Sequence, residues 1–304
     1  MSHPTSHATR PRRPAPAPPK PPRTAAPAHR RRRAERPNLL AGLGSVVWLA
    51  VVIIPIYAMI TTSLAHQDEA LGHNALKPPS HPTLENYRTV LNSGFGHFLT
   101  NTAIVAAAVV AIVLVLCVPL AHVAVRTRTF WSDTAFRMFL LGVAIPAQAV
   151  VVPLYLMIAK LNLYDSLLAI ILPTAAFAMP VSVLVLTGTL RDISEELYEA
   201  MALDGASPTR MLFQLVIPLA KGGIGTVVIY SALQAWNGFL FPLIFTQSDG
   251  PRVLTLGLFN YVSQFGVNIP ALLASVVLSG VPIFVVYLLA RRALVDGLMG
   301  VGGK

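Results

Sequence analysis

Six stretches of this chain, residues 39–64, 98–125, 138–159, 166–190, 222–246 and 271–290, run without a single Asp, Glu, Lys or Arg. About 20 apolar residues carry a helix across the hydrocarbon core of a bilayer. No water is available there, so each backbone N–H and C=O must find its partner inside its own segment, which a helix provides. The expected fold is therefore all-α: a polytopic membrane protein with six transmembrane helices. The composition agrees, with 54% hydrophobic and 12% charged residues in 304, far from the balance of a soluble domain.

The net charge of +10 is concentrated at one end. Residues 1–38 hold ten Lys/Arg against one acid, Glu35, and are rich in proline with no Phe, Tyr or Trp. Without an aromatic ring to stack on a base, this tail reads as a disordered polybasic segment near anionic lipid headgroups, and no nucleic-acid partner is expected. The stretch 39–64 exceeds the short apolar region of a cleavable signal and reads as a retained first span. Lys/Arg placement sets the orientation. Arg126, Arg128, Arg137, Arg191, Arg210, Lys221, Arg291, Arg292 and Lys304 fall on the side of the tail, whereas only Lys77, Arg88, Lys160 and Arg252 fall on the other. Both termini are thus expected in the cytoplasm, with the chain multi-pass in the cell membrane. The organisation reads as tail 1–38, first transmembrane helix 39–64, irregular extracytoplasmic loop 65–97, a five-helix core 98–290 and a cytoplasmic C-terminal tail 291–304. Cys117 is the one cysteine, which leaves neither a disulfide framework nor a Cys-based metal site.

Inside the core, the cytoplasmic loop 191–221 carries its own punctuation. Asp192 with Glu195 three residues on resembles a capping box and predicts a helix over 193–204, with Glu195, Glu196 and Glu199 toward its positive end. Gly205 can close that helix in the left-handed conformation. Ser207-Pro208 then supplies an N-cap and a first-turn proline for a second helix through Met211, Leu212, Leu215 and Val216 that stops at Pro218. Two short helices meeting at a glycine turn form a knob on the membrane face.

Glu199-Ala200-Met201, then Asp204-Gly205, then Leu215-Val216-Ile217-Pro218 resembles the Glu-Ala-Ala…Gly…Ile-x-Leu-Pro coupling loop of binding-protein-dependent importer permeases in the ATP-binding-cassette superfamily. Met201 stands where that family has a second alanine. The resemblance extends through Ile145-Pro146, Pro153-Leu154-Tyr155, Leu163-Tyr164-Asp165-Ser166, Ile171-Leu172-Pro173 and Pro180 before the loop. After it come Trp236-Asn237-Gly238-Phe239-Leu240 and Leu254-Thr255-Leu256-Gly257-Leu258, in the order shown by the maltose-type sugar permeases. The resemblance implies that Glu199, Ala200, Met201, Asp204, Gly205, Leu215, Ile217 and Pro218 form the contact with an ATPase. It also implies the partners: a second homologous permease, two copies of a cytoplasmic ATPase subunit, and an extracytoplasmic solute-binding protein received by the outer loops 65–97 and 247–270. No cofactor is expected on this chain, since ATP and Mg belong to the ATPase.

The residues bear on the competing classes as well. An ion-coupled carrier normally holds a carboxylate or His relay at membrane depth, and the six stretches contain only His122, near one end. No Gly-x4-Gly-Lys-Ser/Thr loop is present for nucleotide phosphates. Nor is there a His-Glu-x-x-His or similar cluster for a membrane enzyme, so a non-catalytic subunit is expected. Asn101, Gln148, Gln234 and Asn237, with Trp236, are the candidate translocation path. Amides offer donors and acceptors without charge, and an aromatic face suits a sugar ring. Other solutes of the same superfamily, such as polyamines, peptides or ions, share this reading of the residues.

Overall fold

The apolar stretches become helices, and proline and glycine decide which of them stay straight. The structure, a computed structural model, describes residues 39–70, 75–127, 129–263 and 266–299. The basic tail 1–38 and residues 300–304 lie outside the described residues. The chain divides into a unit Met1–Ala50 and a unit Val51–Lys304. Helix α1 (Leu39–Ser63) begins in the first, where every side chain described, Trp48 among them, is exposed.

In the second unit, α2 (Gln67–Ala70) and α3 (Glu85–Val90) precede a π turn (Leu91–Phe95) that feeds α4 (Gly96–Arg126). Helix α5 (Phe130–Leu141) passes through a 3-10 turn (Gly142–Ala144) to α6 (Ala147–Lys160), and α7 (Leu167–Arg191) follows. Next come α8 (Glu195–Leu203), α9 (Pro208–Met211), a π turn (Leu212–Val216), α10 (Ile217–Leu219), α11 (Lys221–Trp236) and α12 (Leu240–Phe245). Helix α13 (Leu254–Gly257), a 3-10 turn (Leu258–Tyr261) and an antiparallel pair, β1 (Val262–Ser263) with β2 (Gly266–Val267), lead into α14 (Ile269–Met299). Four helical segments, Gly42–Ser63, Glu85–Arg126, Leu167–Arg191 and Ile269–Val286, are long and apolar enough to cross a membrane singly; two bent pairs raise the number to six.

One of those bends, and a separate break at 237–239, fall inside two of the six expected spans. The stretch 138–159 is divided between α5 and α6, which meet at 105°. Ile145 is extended (ψ 113°) because the following Pro146 disfavours the helical region for its predecessor, and Pro146 itself is the N-cap of α6. The stretch 222–246 ends its first helix at Trp236, and Asn237, Gly238 and Phe239 separate α11 from α12. Pro242, in the first turn of α12, has no N–H to continue the ladder. The carbonyl it frees, Gly238 O, accepts instead from Thr255 Oγ1 at 2.8 Å. Two loop expectations change too. Residues 85–97 are helical rather than irregular, with Gly94 (φ +88°) absorbing the kink into α4. At the other end α14 runs on through Arg291 to Met299, so the expected tail from 291 is largely helix.

Helices α4, α7 and α11 pack on one another and form the core. On α4 the buried residues Val105, Val109, Val113, Cys117 and Ala121 recur every fourth position, one face of a helix. Their neighbours are Ile170, Ala175, Ala178, Val183, Leu186 and Leu190 of α7 and Val227 and Ala235 of α11. Lipid removes the hydrophobic drive between helices, so small residues that allow close packing carry the contact. Gly223 is the closest approach: a Cβ there would lie 2.8 Å from the Thr189 Cβ on α7. The buried hydroxyls of Thr174, Ser182 and Ser231 donate to carbonyls one turn back, Ile170, Ala178 and Val227, each at 2.7 Å. They therefore cost the core no unpaired polar group.

Between α6 and α7 and beyond α12, the loops are tied by one carboxylate. Asp165 (φ +59°) accepts from the backbone N–H of Gln247 at 2.8 Å and Ser248 at 2.9 Å through Oδ1, while its own N–H donates to Phe245 O at 2.9 Å. Those two donors hold the Asp165 carboxyl below its usual value.

Gly223→Ala is expected to lower the melting temperature of the purified chain in detergent, as overpacking typically costs ~1–3 kcal/mol. Gly225→Ala, where nothing lies within 4 Å of the added carbon, should leave it level or raise it. Because the folded-state pKa of Asp165 is depressed, its contribution is complete above the ordinary carboxylate pKa and disappears as pH falls through the lowered value. Wild type should therefore melt higher than Asp165→Asn at pH 7, with the gap closing on acidification to pH 3.

Candidate functional site

The knob between α7 and α11 is built by local capping. Helix α7 keeps helical geometry through its C-cap, Asp192 (φ −78°, ψ −11°), so Asp192 ends one helix instead of starting the next. This corrects the capping-box expectation: α8 starts at Glu195, after Ser194, whose side chain makes no cap bond. At its other end α8 closes with a complete Schellman motif. Gly205 (φ +72°) donates to Ala202 O at 3.0 Å and Ala206 N–H to Met201 O at 2.9 Å. Ser207 Oγ then accepts from Arg210 N–H at 3.3 Å, with Pro208 in the first turn of α9. The helix passes Pro218, where a stop was expected, and ends at Leu219. The π turn just before it relaxes the turn that the proline ring would otherwise crowd.

This knob has two faces. Glu199, Ala200, Asp204, Gly205 and Pro218 are exposed. Leu215 is buried, and Met201 and Ile217 are half-buried against the chain's own core together with Tyr198 and Val216. Met201 thus packs inward. The outer face also carries Leu203, 90% exposed, and Phe213, 67% exposed. Helix α8 is tied to the end of α4 by a cluster that sequence reasoning did not assemble. The Arg126 guanidinium carbon lies 3.9 Å from the Tyr198 ring centroid, and the His122 ring stacks on Tyr198 at 5.9 Å and 19°. Arg126 also pairs with Glu195 at 3.6 Å. Burial pushes the Tyr198 phenol above its ordinary pKa against the opposing Arg126 charge. Its hydroxyl has no hydrogen-bond partner among the described residues. A cavity of about 600 Å³ opens beside this cluster, lined by Arg126, Asp133, Arg191, Asp192 and Glu195 among others.

A second cavity, of about 280 Å³, lies at the break between α11 and α12. It brings together three of the five path candidates: Gln148 at the start of α6, and Gln234 and Asn237 at the end of α11. Thr174 and Phe177 of α7 join them, with Phe239 and Phe241. Sequence reasoning passed over these phenylalanines because a Phe inside an apolar run carries no signal distinguishing a cavity wall from a lipid contact. The other two candidates are elsewhere. Trp236 is half-buried between two apolar clusters. Asn101 is 5% exposed and donates its amide to Gly250 O at 2.7 Å and Arg252 O at 2.8 Å, holding a loop. In the single chain Gln148, Gln234 and Asn237 are exposed. Amides in apolar helices that turn away from their own core must face a partner helix or a wet path.

Residues 118–296 match the family described as the binding-protein-dependent transport system inner membrane component. An ABC transporter permease protein of Caldicellulosiruptor sp. (strain Rt8B.4) is 32% identical over 253 residues, 83% of this chain and 92% of that one. The diacetylchitobiose uptake system permease protein of Streptomyces coelicolor is 29% identical, covering 82% of this chain and 83% of its own. The trehalose/maltose transport system permease protein of Thermococcus litoralis is 28% identical, covering 86% and 95%. Among solved structures, a bacterial ABC transporter involved in the import of the acidic polysaccharide alginate superposes with a TM-score of 0.72 at 18% identity, over 84% of this chain and 95% of that one. The chain belongs to the binding-protein-dependent permease family of ATP-binding-cassette importers, as a non-catalytic, multi-pass subunit of the inner or plasma membrane.

Proposed function

We propose that this permease passes a neutral saccharide, mono- or oligomeric, through the cavity at the α11–α12 break by alternating access. The observation that carries the reading is that cavity's lining: Gln148, Gln234, Asn237 and Thr174 supply hydrogen-bonding groups without charge, and Phe177, Phe239 and Phe241 supply apolar faces. Such a mixture matches the hydroxyls and the C–H faces of a sugar ring. The diacetylchitobiose and trehalose/maltose permeases among its relatives are consistent with it.

In this reading a second, homologous permease faces the exposed amides and completes the path. Two copies of a cytoplasmic ATPase, which bind the ATP and Mg, dock on the outer face of the knob at Glu199, Ala200, Asp204 and Gly205. Both termini are cytoplasmic, and loops 65–97 and 247–270 receive the loaded solute-binding protein. Exposed Leu203 and Phe213 support docking, because large apolar side chains on a polar surface mark an interaction face. Met201, Leu215 and Ile217 act from behind, fixing the knob to the permease body. Closure of the ATPases then tilts the helices between inward-facing and outward-facing arrangements.

The test is uptake into proteoliposomes holding the assembled importer, with a panel of labelled saccharides and a polyamine and a peptide as comparison solutes. Gln234→Leu and Asn237→Leu should each lower saccharide uptake by roughly tenfold, the effect of leaving a substrate hydroxyl unpaired. Wild-type uptake of the polyamine or peptide in place of every saccharide would overturn the substrate class. Gly205→Asp should insert normally yet abolish uptake, whereas Gly205→Asn, which tolerates the left-handed geometry without charge, should retain part of it. Normal uptake by Gly205→Asp would sink the docking assignment.

A further inference from the structure

The two ends of α4 are gripped by different bonds. At its C-terminal end Tyr198 of α8 is held by the Arg126 guanidinium and the His122 ring, with the Arg126–Glu195 pair beside it. Near its N-terminal end Thr102 Oγ1 accepts from Leu254 N–H at 2.9 Å, and Asn101 holds the carbonyls of Gly250 and Arg252. His97 Nε2 adds a bond to Gly250 O at 2.8 Å. Between these clamps α4 is one continuous helix whose inner face is buried on α7 and α11. From Thr102 to His122 it spans ~30 Å at 1.5 Å per residue.

The α8 clamp is focused. The cavity of about 600 Å³ at the junction of α4, α5, α7 and the start of α8 leaves the first turn of α8 without close packing on that side. An ion pair as exposed as Arg126–Glu195, with Glu195 at 66% side-chain exposure, contributes little. Tyr198 is 3% exposed, so its stacking and cation–π contacts are desolvated and stronger.

We infer that α4 carries displacement between the loop 249–254 and the knob, with Thr102 and Tyr198 as positioning residues at its two ends. A load on the loop pulls on Thr102 and Asn101, α4 shifts as a packed unit, and the ring clamp hands the shift to α8. Close-packed cores transmit strain in this way and switch between discrete arrangements instead of deforming. The inference rests on the docking of α8 on an ATPase.

The experiment uses the complete importer in nanodiscs and reads the ratio of hydrolysis with and without loaded binding protein. Thr102→Val removes the acceptor for Leu254 N–H at constant shape, and Tyr198→Leu removes the ring while keeping apolar bulk. Each should lower the ratio by ~5-fold, within the range of coupling changes from substitutions along a transmitting element. The double variant should fall no further. Independent damage at sites this far apart would multiply to ~25-fold, and that result, or unchanged ratios in both single variants, overturns the inference. Tyr198→Phe should match wild type, since the ring and not the unpartnered hydroxyl is the working part; a loss as large as that of Tyr198→Leu counts against it. Should Tyr198→Leu fail to assemble, Arg126→Gln removes the cation above the ring at a half-exposed position and is read in the same cycle. Stimulation retained by Gly205→Asp would overturn the docking assignment alone, because the Thr102 and Tyr198 pair still reports the linkage.

Discussion

Every feature of this permease is subordinate to one rule of its solvent: hydrocarbon offers no hydrogen bond, so the chain must satisfy itself or break where something else can. Helices α4 and α7 continue without ending past Pro119, Pro173 and Pro180. At Pro242 the rule is met differently. The helix gives way, and the orphan carbonyl of Gly238 is taken up by Thr255 from another element. A broken helix at membrane depth is tolerated only where protein or water replaces the missing partners, and here the break coincides with the amide-lined cavity. The breach and the amide-lined surface occur at the same place.

The knob shows the converse economy outside the membrane. Water is available there, yet the turn between α8 and α9 closes its bonds internally, through the Schellman pair at Gly205 and the Ser207 cap. A loop that relied on water would yield under load. This one keeps a defined angle between two short helices, and Leu215 and Val216 seat the second of them in the core. Rigidity of the knob and its anchorage are thus supplied by different residues, which is why only part of the motif lies on the outer surface.

How far the sequence could be read follows from the range of the forces involved. Helix existence and the glycine turn depend on length and on neighbours a few residues away, so the long stretches and Gly205, Ser207 and Pro208 were legible. The start of α8 was not. Asp192 has the chemistry of an N-cap, but α7 extends through it, and that extension is decided by packing. Prolines were visible as well, though not their outcome: Pro146 turns the chain by 105° while Pro173 and Pro180 are absorbed. The amides divide for a similar reason. Asn101 and Gln234 look alike in apolar runs, and only the tertiary arrangement supplies the first with loop carbonyls and leaves the second facing outward.

The absence of Asp, Glu, Lys and Arg from the membrane stretches has an electrical consequence. The membrane potential does work on a moving protein in proportion to the charge carried across the field, ~2.3 kcal/mol per elementary charge per 100 mV. Helices that move with no formal charge inside the field feel almost none of it. In an alternating-access cycle the potential would find no formal charge in this chain's apolar stretches on which to do work.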